Sequence, residues 1–378
     1  MALNHTPARI GSNKWEIDTP AVVVDLTKLE RNIQDMATFA AQVGVSLRPH
    51  VKAHKMLSIA RRQLKAGACG LAVAKLSEAE VMLESGCQDI LVANQVVTPE
   101  KIQKLLHLSE KVKLACAIDN ADNAAFLSQV AHSRGKKIPV LIEVDTGLQR
   151  CGVLPGQPVI DLAKTVASLP GLELEGLMTH AGHAYAARNL EEVARIGQEE
   201  GEILSEAAER LRRWGLPCQV VSVGSTPTAR YAGKVPGVTE IRPGNYVFYD
   251  AVQVALGVAE EEQCALTVIA TVISRPARDR AVIDAGSKVL ALDRGAHGTA
   301  AVQGFGLIKG RAGYVLERLS EEHGIISLPP NANLRLGEKL EIIPNHACPV
   351  VNLCDTVVVV RENKVVDLWS VEARGKSR

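Results

Sequence analysis

Val45-Ser46-Leu47-Arg48-Pro49-His50-Val51-Lys52, followed by Ala53-His54-Lys55, decides where a repeat of βα units begins. Val45, Leu47 and Val51 are apolar, and Ser46, Arg48, His50 and Lys52 fill the alternate positions, which is the period of a strand. On a continuing strand Arg48, His50, Lys52 and His54 share one face and Lys55 points the other way. Two imidazoles, two lysines and an arginine between Arg48 and Lys55 are poor core material, because unpaired buried charge is costly. A neighbouring cation makes a lysine easier to deprotonate, which suits Lys52 to a nucleophilic role. A basic strand end without a role is the plainer reading, and the rest of the chain has to decide.

Outward from this stretch the pattern alternates. Residues 21–25 read as a first strand, and 27–43 as an amphipathic helix with Thr27 as N-cap and Gly44 as stop. Strands are expected near 45–52, 70–74, 89–93, 113–118, 138–144, 173–179, 218–223 and 240–246, with helices over 56–67, 77–86, 98–109, 120–134, 156–168 and 188–214 and a short one after Ser225. Repeated βα units imply parallel strands. A closed (β/α)8 barrel and a doubly wound open sheet both fit; the count of eight favours the barrel. The lack of G-x-G-x-x-G after the first strand counts against a dinucleotide-binding sheet. From about residue 253 the runs turn β-type, at 265–273, 280–284, 337–343, 355–361 and 364–371, with one helical pattern at Leu316–His323. The expected architecture is a (β/α)8 TIM barrel over 26–252, then a mostly-β C-terminal domain over 253–378 that the N-terminal strand within 1–25 is free to join.

Composition agrees with an ordinary globular chain. The 378 residues suffice for two domains, 47% are hydrophobic and 22% charged. A net charge of +1 gives no reason to expect nucleic acid or an anionic membrane. No apolar run reaches the roughly 18 residues that span a bilayer, and Met1–Glu16 lacks the apolar region of a signal peptide. A cytoplasmic location is expected. The eight cysteines form no C-x-x-C pair and read as reduced thiols. His5, His107, His132, His297 and His323 read as surface or structural.

Barrel enzymes carry their chemistry at the C-terminal ends of the strands. Polar or glycine clusters fall there on six of the eight: Lys52 and His54, Asn94 and Gln95, Asp145 through Gly152, Thr179-His180-Ala181-Gly182-His183, Gly224-Ser225-Thr226-Pro227-Thr228, and Arg242-Pro243-Gly244-Asn245. Gly224-Ser225-Thr226 opens a turn whose N–H groups and hydroxyls suit a phosphate, with Gly244 and Asn245 as a second close approach. Taken alone, such a turn is more often just a helix cap. A phosphate grip opposite an activated lysine suggests pyridoxal phosphate (PLP); a sugar-phosphate aldolase with a Schiff-base lysine is the competing inference. Farther on, His346-Ala347-Cys348 aims an imidazole and a thiol the same way if the segment is extended. The pair would suit zinc, or manganese through the imidazole, with positions left for water and substrate; a buried cysteine beside a hydrogen-bonded histidine is the alternative.

Taken together, Arg48 through Lys55, Asp145-Thr146-Gly147 with Arg150 and Gly152, Thr179-His180, Gly224 through Thr228, and Arg242 through Asp250 resemble the fold-type III, alanine racemase-like PLP enzymes. With Pro344-Asn345-His346-Ala347-Cys348-Pro349, the match is closer to the D-threonine aldolase and D-serine dehydratase group. The resemblance implies that Lys52 is the Schiff-base lysine, that Arg150 lies near the cofactor's phenolic oxygen and His180 against its ring, and that Ser225, Thr226, Gly244 and Asn245, with Gly224, grip the phosphate. Arg242 matches the residue facing the pyridine nitrogen, and His346 and Cys348 match the metal motif. The implied activity is a PLP- and divalent-metal-dependent lyase acting on β-hydroxy-D-amino acids. D-threonine aldolase comes first and D-serine or 3-hydroxy-D-aspartate dehydratase second; Lys52 and His346 are the catalytic residues, Mn²⁺ or Zn²⁺ the metal, and a homodimer the assembly. A racemase is a poorer match, because the second domain holds only Tyr314 and no motif around it resembles the racemases' second acid/base. A non-catalytic PLP carrier would lack residues 253–378.

Overall fold

The computed structural model describes residues 8–295 and 302–378; His5 and His297 lie outside them. The strands are β1 (Ala21–Asp25), β2 (Ser46–Leu47), β3 (Leu71–Val73), β4 (Asp89–Gln95), β5 (Lys113–Ile118), β6 (Ile138–Glu143), β7 (Leu172–Met178), β8 (Val220–Val223), β9 (Glu240–Ile241), β10 (Leu266–Ala277), β11 (Arg280–Ile283), β12 (Gly306–Ile308), β13 (Val315–Leu319), β14 (Gly324–Ser327), β15 (Lys339–Pro344), β16 (Thr356–Arg361) and β17 (Lys364–Ser370). The helices are α1 (Leu26–Val43), α2 (Leu57–Lys65), α3 (Leu76–Met82), α4 (Pro99–Leu108), α5 (Ala121–Ser133), α6 (Gln157–Ser168), α7 (Leu190–Arg213), α8 (Ala229–Ala232), α9 (Ala251–Ala255), α10 (Ser287–Leu290) and α11 (Ala347–Leu353). None is long and apolar enough to cross a membrane. The chain divides into two compact bodies, one of residues 34–52, 57–244 and 375–378, the other of residues up to 33, 53–56 and 245–374.

The first body is a TIM-like barrel of eight parallel strands in the order β2-β9-β8-β7-β6-β5-β4-β3. Its ends meet through a bridge between His50 and Ala72, with Ala72 N–H donating to Pro49 O (2.8 Å) and Cys69 N–H to Leu47 O (2.9 Å). Leu91, Ala115, Ala117, Leu141 and Met178 pack together in its core. The middles of the strands are largely apolar, as suits parallel strands covered on both faces, and charged residues Asp89, Lys113, Glu143 and Glu240 stand at strand ends. Helix ends follow local chemistry: Asn120 and Asn189 cap α5 and α7, Pro99 opens α4, and Gly44, at φ +75°, ends α1. α1 begins one residue before Thr27, and the cap is Asp25, whose Oδ1 accepts from Lys28 N–H at 3.1 Å.

The second body is a nine-stranded sheet in the order β13-β14-β11-β10-β1-β16-β17, with β15 pairing β10 and β12. β1 lies antiparallel to β10 and parallel to β16. Ile17, Val23, Ile269, Val358, Val360 and Val365 form its apolar cluster.

Three expectations are corrected. The strand expected over 45–52 runs only from Ser46 to Leu47, and Val51–Ala53 form a 3₁₀ turn. Pro49 has no N–H with which to extend the ladder, and the face-alternation that set Lys52 against Lys55 does not hold on a turn. The strand expected over 240–246 likewise ends at Ile241, before Pro243, and Asn245–Val247 form another 3₁₀ turn. The helical pattern at Leu316–His323 is the strand β13, paired with β14. Leu316 and Leu319 fit a helical spacing, but pairing with Ile326 and Gly324 overrides local preference.

Candidate active site

In the first body the strand ends carry the cluster. His50 is buried. Burial, first, and then the positive fields of Lys52, Arg242, His180 and Arg150 push its pKa well below 6.5. All four are expected site residues, and each acts electrostatically on this one imidazole. His50 Nδ1 accepts from the Lys52 backbone N–H at 3.4 Å.

Arg242 is buried and held from below. Its Nη1 donates to Ser222 Oγ at 2.5 Å, and its Nη2 to Thr179 O. Ser222 Oγ donates to Glu240 Oε1 at 2.5 Å. Glu240 Oε2 accepts from Arg48 Nε at 2.7 Å, and Arg48 Nη1 reaches Asp89 Oδ1 at 2.7 Å. Arg48 is therefore a structural pin, paired with two carboxylates. Burial lowers the Arg242 pKa, against the opposing fields of Glu240, Glu200 and Glu143. Arg150 is half exposed, with Nη2 3.8 Å from Glu143 Oε1; the buried Glu143 accepts from Gln95 Nε2 at 2.6 Å. The loop before Arg150 is shaped by Asp145 Oδ1, which accepts from Gly147 N–H (2.9 Å) and Gln149 N–H (3.0 Å).

After β8, Ser225 and Thr226 are buried. Gly224 stands at φ +100°, a conformation suited to glycine, and a Cβ there would meet nothing closer than 3.6 Å. Its N–H donates to Glu200 Oε1 (2.9 Å), which also accepts from Ala181 N–H (3.1 Å), and Glu200 Oε2 accepts from Thr228 Oγ1 (2.8 Å). Glu200 was not expected from the sequence. Its signal is phase: it falls on the same α7 stripe as Val193, Ile196, Gly197 and Leu204. His183, from the loop after β7, lays its ring where a Cβ on Gly147 would meet it at 3.0 Å. Its Nδ1 is buried without a hydrogen-bond partner, and burial lowers its pKa against the opposing field of Asp145. Cationic groups around a neutral histidine, buried hydroxyls and a roomy glycine turn fit an anionic, phosphate-bearing cofactor.

In the second body His346 precedes α11 in extended conformation, and Cys348 lies in the first helical turn, so the pair is not the extended i, i+2 arrangement expected. They still interact: burial opposes protonation of His346, but Cys348, Asp293 and Asp250 outweigh it and raise its pKa well above 6.5. His346 Nδ1 lies 2.7 Å from Asp293 Oδ2. Asn245 donates from Nδ2 to Asp250 Oδ2 (2.5 Å), which also accepts from Ala347 N–H (3.0 Å); Asp250 is a second carboxylate with no role expected for it beforehand. Among the described residues no group of three His, Cys, Asp or Glu side chains is set to hold a metal. An imidazole and a thiol fit a metal that completes its shell with water or substrate, and the carboxylate on Nδ1 leaves Nε2 to bind it. His107, His132 and His323 are exposed.

Comparison with known proteins gives the family. The alanine racemase N-terminal domain family matches residues 24–252, and a serine dehydratase domain matches 265–360. D-threonine aldolase from Arthrobacter sp. is 37% identical over 98% of this chain and 97% of its own length. D-threo-3-hydroxyaspartate dehydratase from a Delftia strain is 38% identical over 88% of this chain and 91% of its own; a cysteine-to-alanine mutant of a D-threo-3-hydroxyaspartate dehydratase in the metal-free form superposes with a TM-score of 0.88, at 36% identity over 95% of this chain and 98% of that one. The crystal structure of D-threonine aldolase from Filomicrobium marinum gives a TM-score of 0.90 at 36% identity, covering 98% and 99% of the two chains. The chain belongs to the alanine racemase-like, fold-type III family of PLP-dependent enzymes, in the branch of its lyases.

Proposed function

We propose that the chain cleaves β-hydroxy-D-amino acids, with D-threonine giving glycine and acetaldehyde as the leading reaction. In this reading residues 26–252 carry the PLP, and residues 253–378 with the strand in 1–25 carry the metal. The observation that carries it is the 37% identity, over 98% of the chain, to a D-threonine aldolase.

PLP, when bound, withdraws electrons from the substrate's α-carbon. Lys52 is the amine that would hold it. Arg150 and Arg242 supply positive charge, and Arg242, pinned by Ser222 and Thr179 O, is fixed in one orientation. Ser225, Thr226, Gly244 and Asn245 bind the phosphate in this reading. A divalent cation on His346 and Cys348, Mn²⁺ or Zn²⁺, would lower the pKa of a bound hydroxyl. His183, whose Nδ1 is buried without a hydrogen-bond partner, is the imidazole in this reading that could exchange a proton with substrate. In the aldol direction the hydroxyl proton goes to a base, the Cα–Cβ bond breaks, and the electron pair stays on Cα until a proton returns to it.

Dehydration is the second reading, favoured by the 38% identity to the hydroxyaspartate dehydratase. There Lys52 would take the Cα proton as the β-hydroxyl leaves as water, and hydrolysis of the resulting enamine (as its imine tautomer) by a second water gives a 2-oxo acid and ammonia. Incubation with D-threonine and with D-serine, PLP and Mn²⁺ or Zn²⁺ separates the two: glycine without 2-oxo acid supports cleavage, 2-oxo acid without glycine supports dehydration, and neither product refutes both. A chelator abolishes either activity and leaves a racemase untouched. A cytoplasmic homodimer completes the reading, checked by light scattering and cell fractionation.

A further inference from the structure

We propose that Glu200 is a positioning residue for the cofactor, a single buried carboxylate that ties together the two rim loops bearing His180 and Ser225-Thr226. The proposal rests on the reading of the barrel as the PLP-binding body. Glu200 is 1% exposed on the apolar side of α7, where a carboxylate is strongly unfavourable unless its oxygens are satisfied. Both are. Oε1 accepts from Ala181 N–H, the residue after His180, and from Gly224 N–H, the residue before Ser225; Oε2 accepts from Thr228 Oγ1. Thr228 Oγ1 accepts in turn from Ser225 N–H at 3.1 Å. One carboxylate thus fixes backbone on both sides of the expected cofactor residues, in loop segments that no strand ladder holds. The helix comes close enough because Gly197 and Gly201 flank Glu200: a Cβ on Gly197 would stand 2.8 Å from Tyr231 Cβ, and one on Gly201 2.6 Å from Val235 Cγ2. Burial raises the carboxyl pKa, and the Gly224, Thr228 and Ala181 donors oppose that. Glu199 and Glu202, on either side, bond the exposed Arg195 and Gln198, so the role belongs to one acid of the run.

The test uses full-length Glu200→Ala and Glu200→Gln. PLP affinity is titrated by the visible band, hydrogen exchange is followed by mass spectrometry over peptides spanning 179–184 and 222–230, and thermal unfolding of the apo protein reports folding. Glu200→Ala weakens PLP binding by about tenfold or more, as loss of buried acceptors demands, and speeds exchange in both peptides together. Glu200→Gln keeps an amide oxygen for the two N–H groups and restores most of the affinity. Wild-type PLP affinity in a folded Glu200→Ala, or loosening of only one loop, overturns the proposal. Should Glu200→Ala fail to fold, Thr228→Val removes one hydroxyl from the same link; weaker PLP binding with faster exchange over 222–230 supports the proposal, and unchanged affinity overturns it. A wild-type chain that takes up no PLP refutes the cofactor reading and with it the positioning role, and the exchange data, which need no cofactor, tell that failure apart from a failure of the tie itself.

Discussion

Replacing Arg48 by Met tests whether the barrel seam is held by charge. Arg48 and Glu240 side chains are 11% and 5% exposed and meet at 2.7 Å. Asp89, the second partner, is 25% exposed and also has Lys113 at 3.6 Å, so it stays hydrated and compensated when Arg48 is lost. Glu240 does not: among the described residues it keeps hydrogen bonds from the Ser222 hydroxyl and the Cys69 thiol, the latter at 3.6 Å, with Arg242 linked to it only through Ser222, and it loses the one cation in direct contact with it. Breaking such a pair from one side costs about 3–5 kcal/mol. Glu240→Gln alone orphans Arg48 less, because Asp89 remains, and costs about 1–3 kcal/mol. In Arg48→Met/Glu240→Gln the orphaned charge is gone, so the double variant is more stable than the sum of the singles by about 2 kcal/mol, at the upper end for residues in direct contact. The assay is urea unfolding by circular dichroism on all four proteins. Additive losses would refute the reasoning, for then Glu240 is not carrying an unpaired charge in Arg48→Met.

His50 gives a pH test. Its folded pKa is depressed below 6.5, so the unfolded chain takes up the proton first as pH falls. Its contribution to stability is complete above about pH 6.5 and is lost below it, and the stability gap between wild type and His50→Asn therefore narrows from pH 7.5 towards about pH 5; a constant gap in the unfolding midpoints would contradict this. Asp293→Asn removes the charged partner of His346 Nδ1 and weakens metal binding by about 10- to 100-fold in a competitive chelator titration, with the PLP band unchanged. Gly176→Ala would drive a Cβ to 1.9 Å from Val220 O across the β7–β8 ladder, and costs about 3 kcal/mol or more in thermal unfolding. Lys52→Ala abolishes the visible PLP band; a band retained would transfer the role to Lys55, whose amine reaches Ala373 O at 3.4 Å.

The barrel was legible because its signal is repetition. The expected and observed strands 113–118 and Lys113–Ile118 coincide, and the helix expected over 156–168 begins one residue later, at Gln157. What periodicity misread were the places where proline interrupts a ladder, at Pro49 and Pro243, and the one strand, β13, whose leucines also fit a helix. The rim residues could be grouped from the sequence because strand ends converge. Their supports could not. Glu200 sits in Glu199-Glu200-Gly201-Glu202, three acids that look alike until the helix phase turns one inward, and Glu240 reads as an ordinary strand residue until Arg48, Ser222 and Cys69 arrive from other strands. Buried charge is chosen by its partners, and partners from distant strands leave no local pattern.

The closing bridge between His50 and Ala72 has a consequence for how the molecule comes apart. The cylinder closes between its first two strands, and that joint is β2, one of two strands only two residues long, plus two hydrogen bonds around a proline. Lys52 stands two residues from it. A ligand that binds the folded chain through Lys52, and not the unfolded one, would stabilise the closed cylinder by its own binding energy. If Lys52 holds the cofactor, cofactor affinity becomes a readout of how firmly the joint is closed.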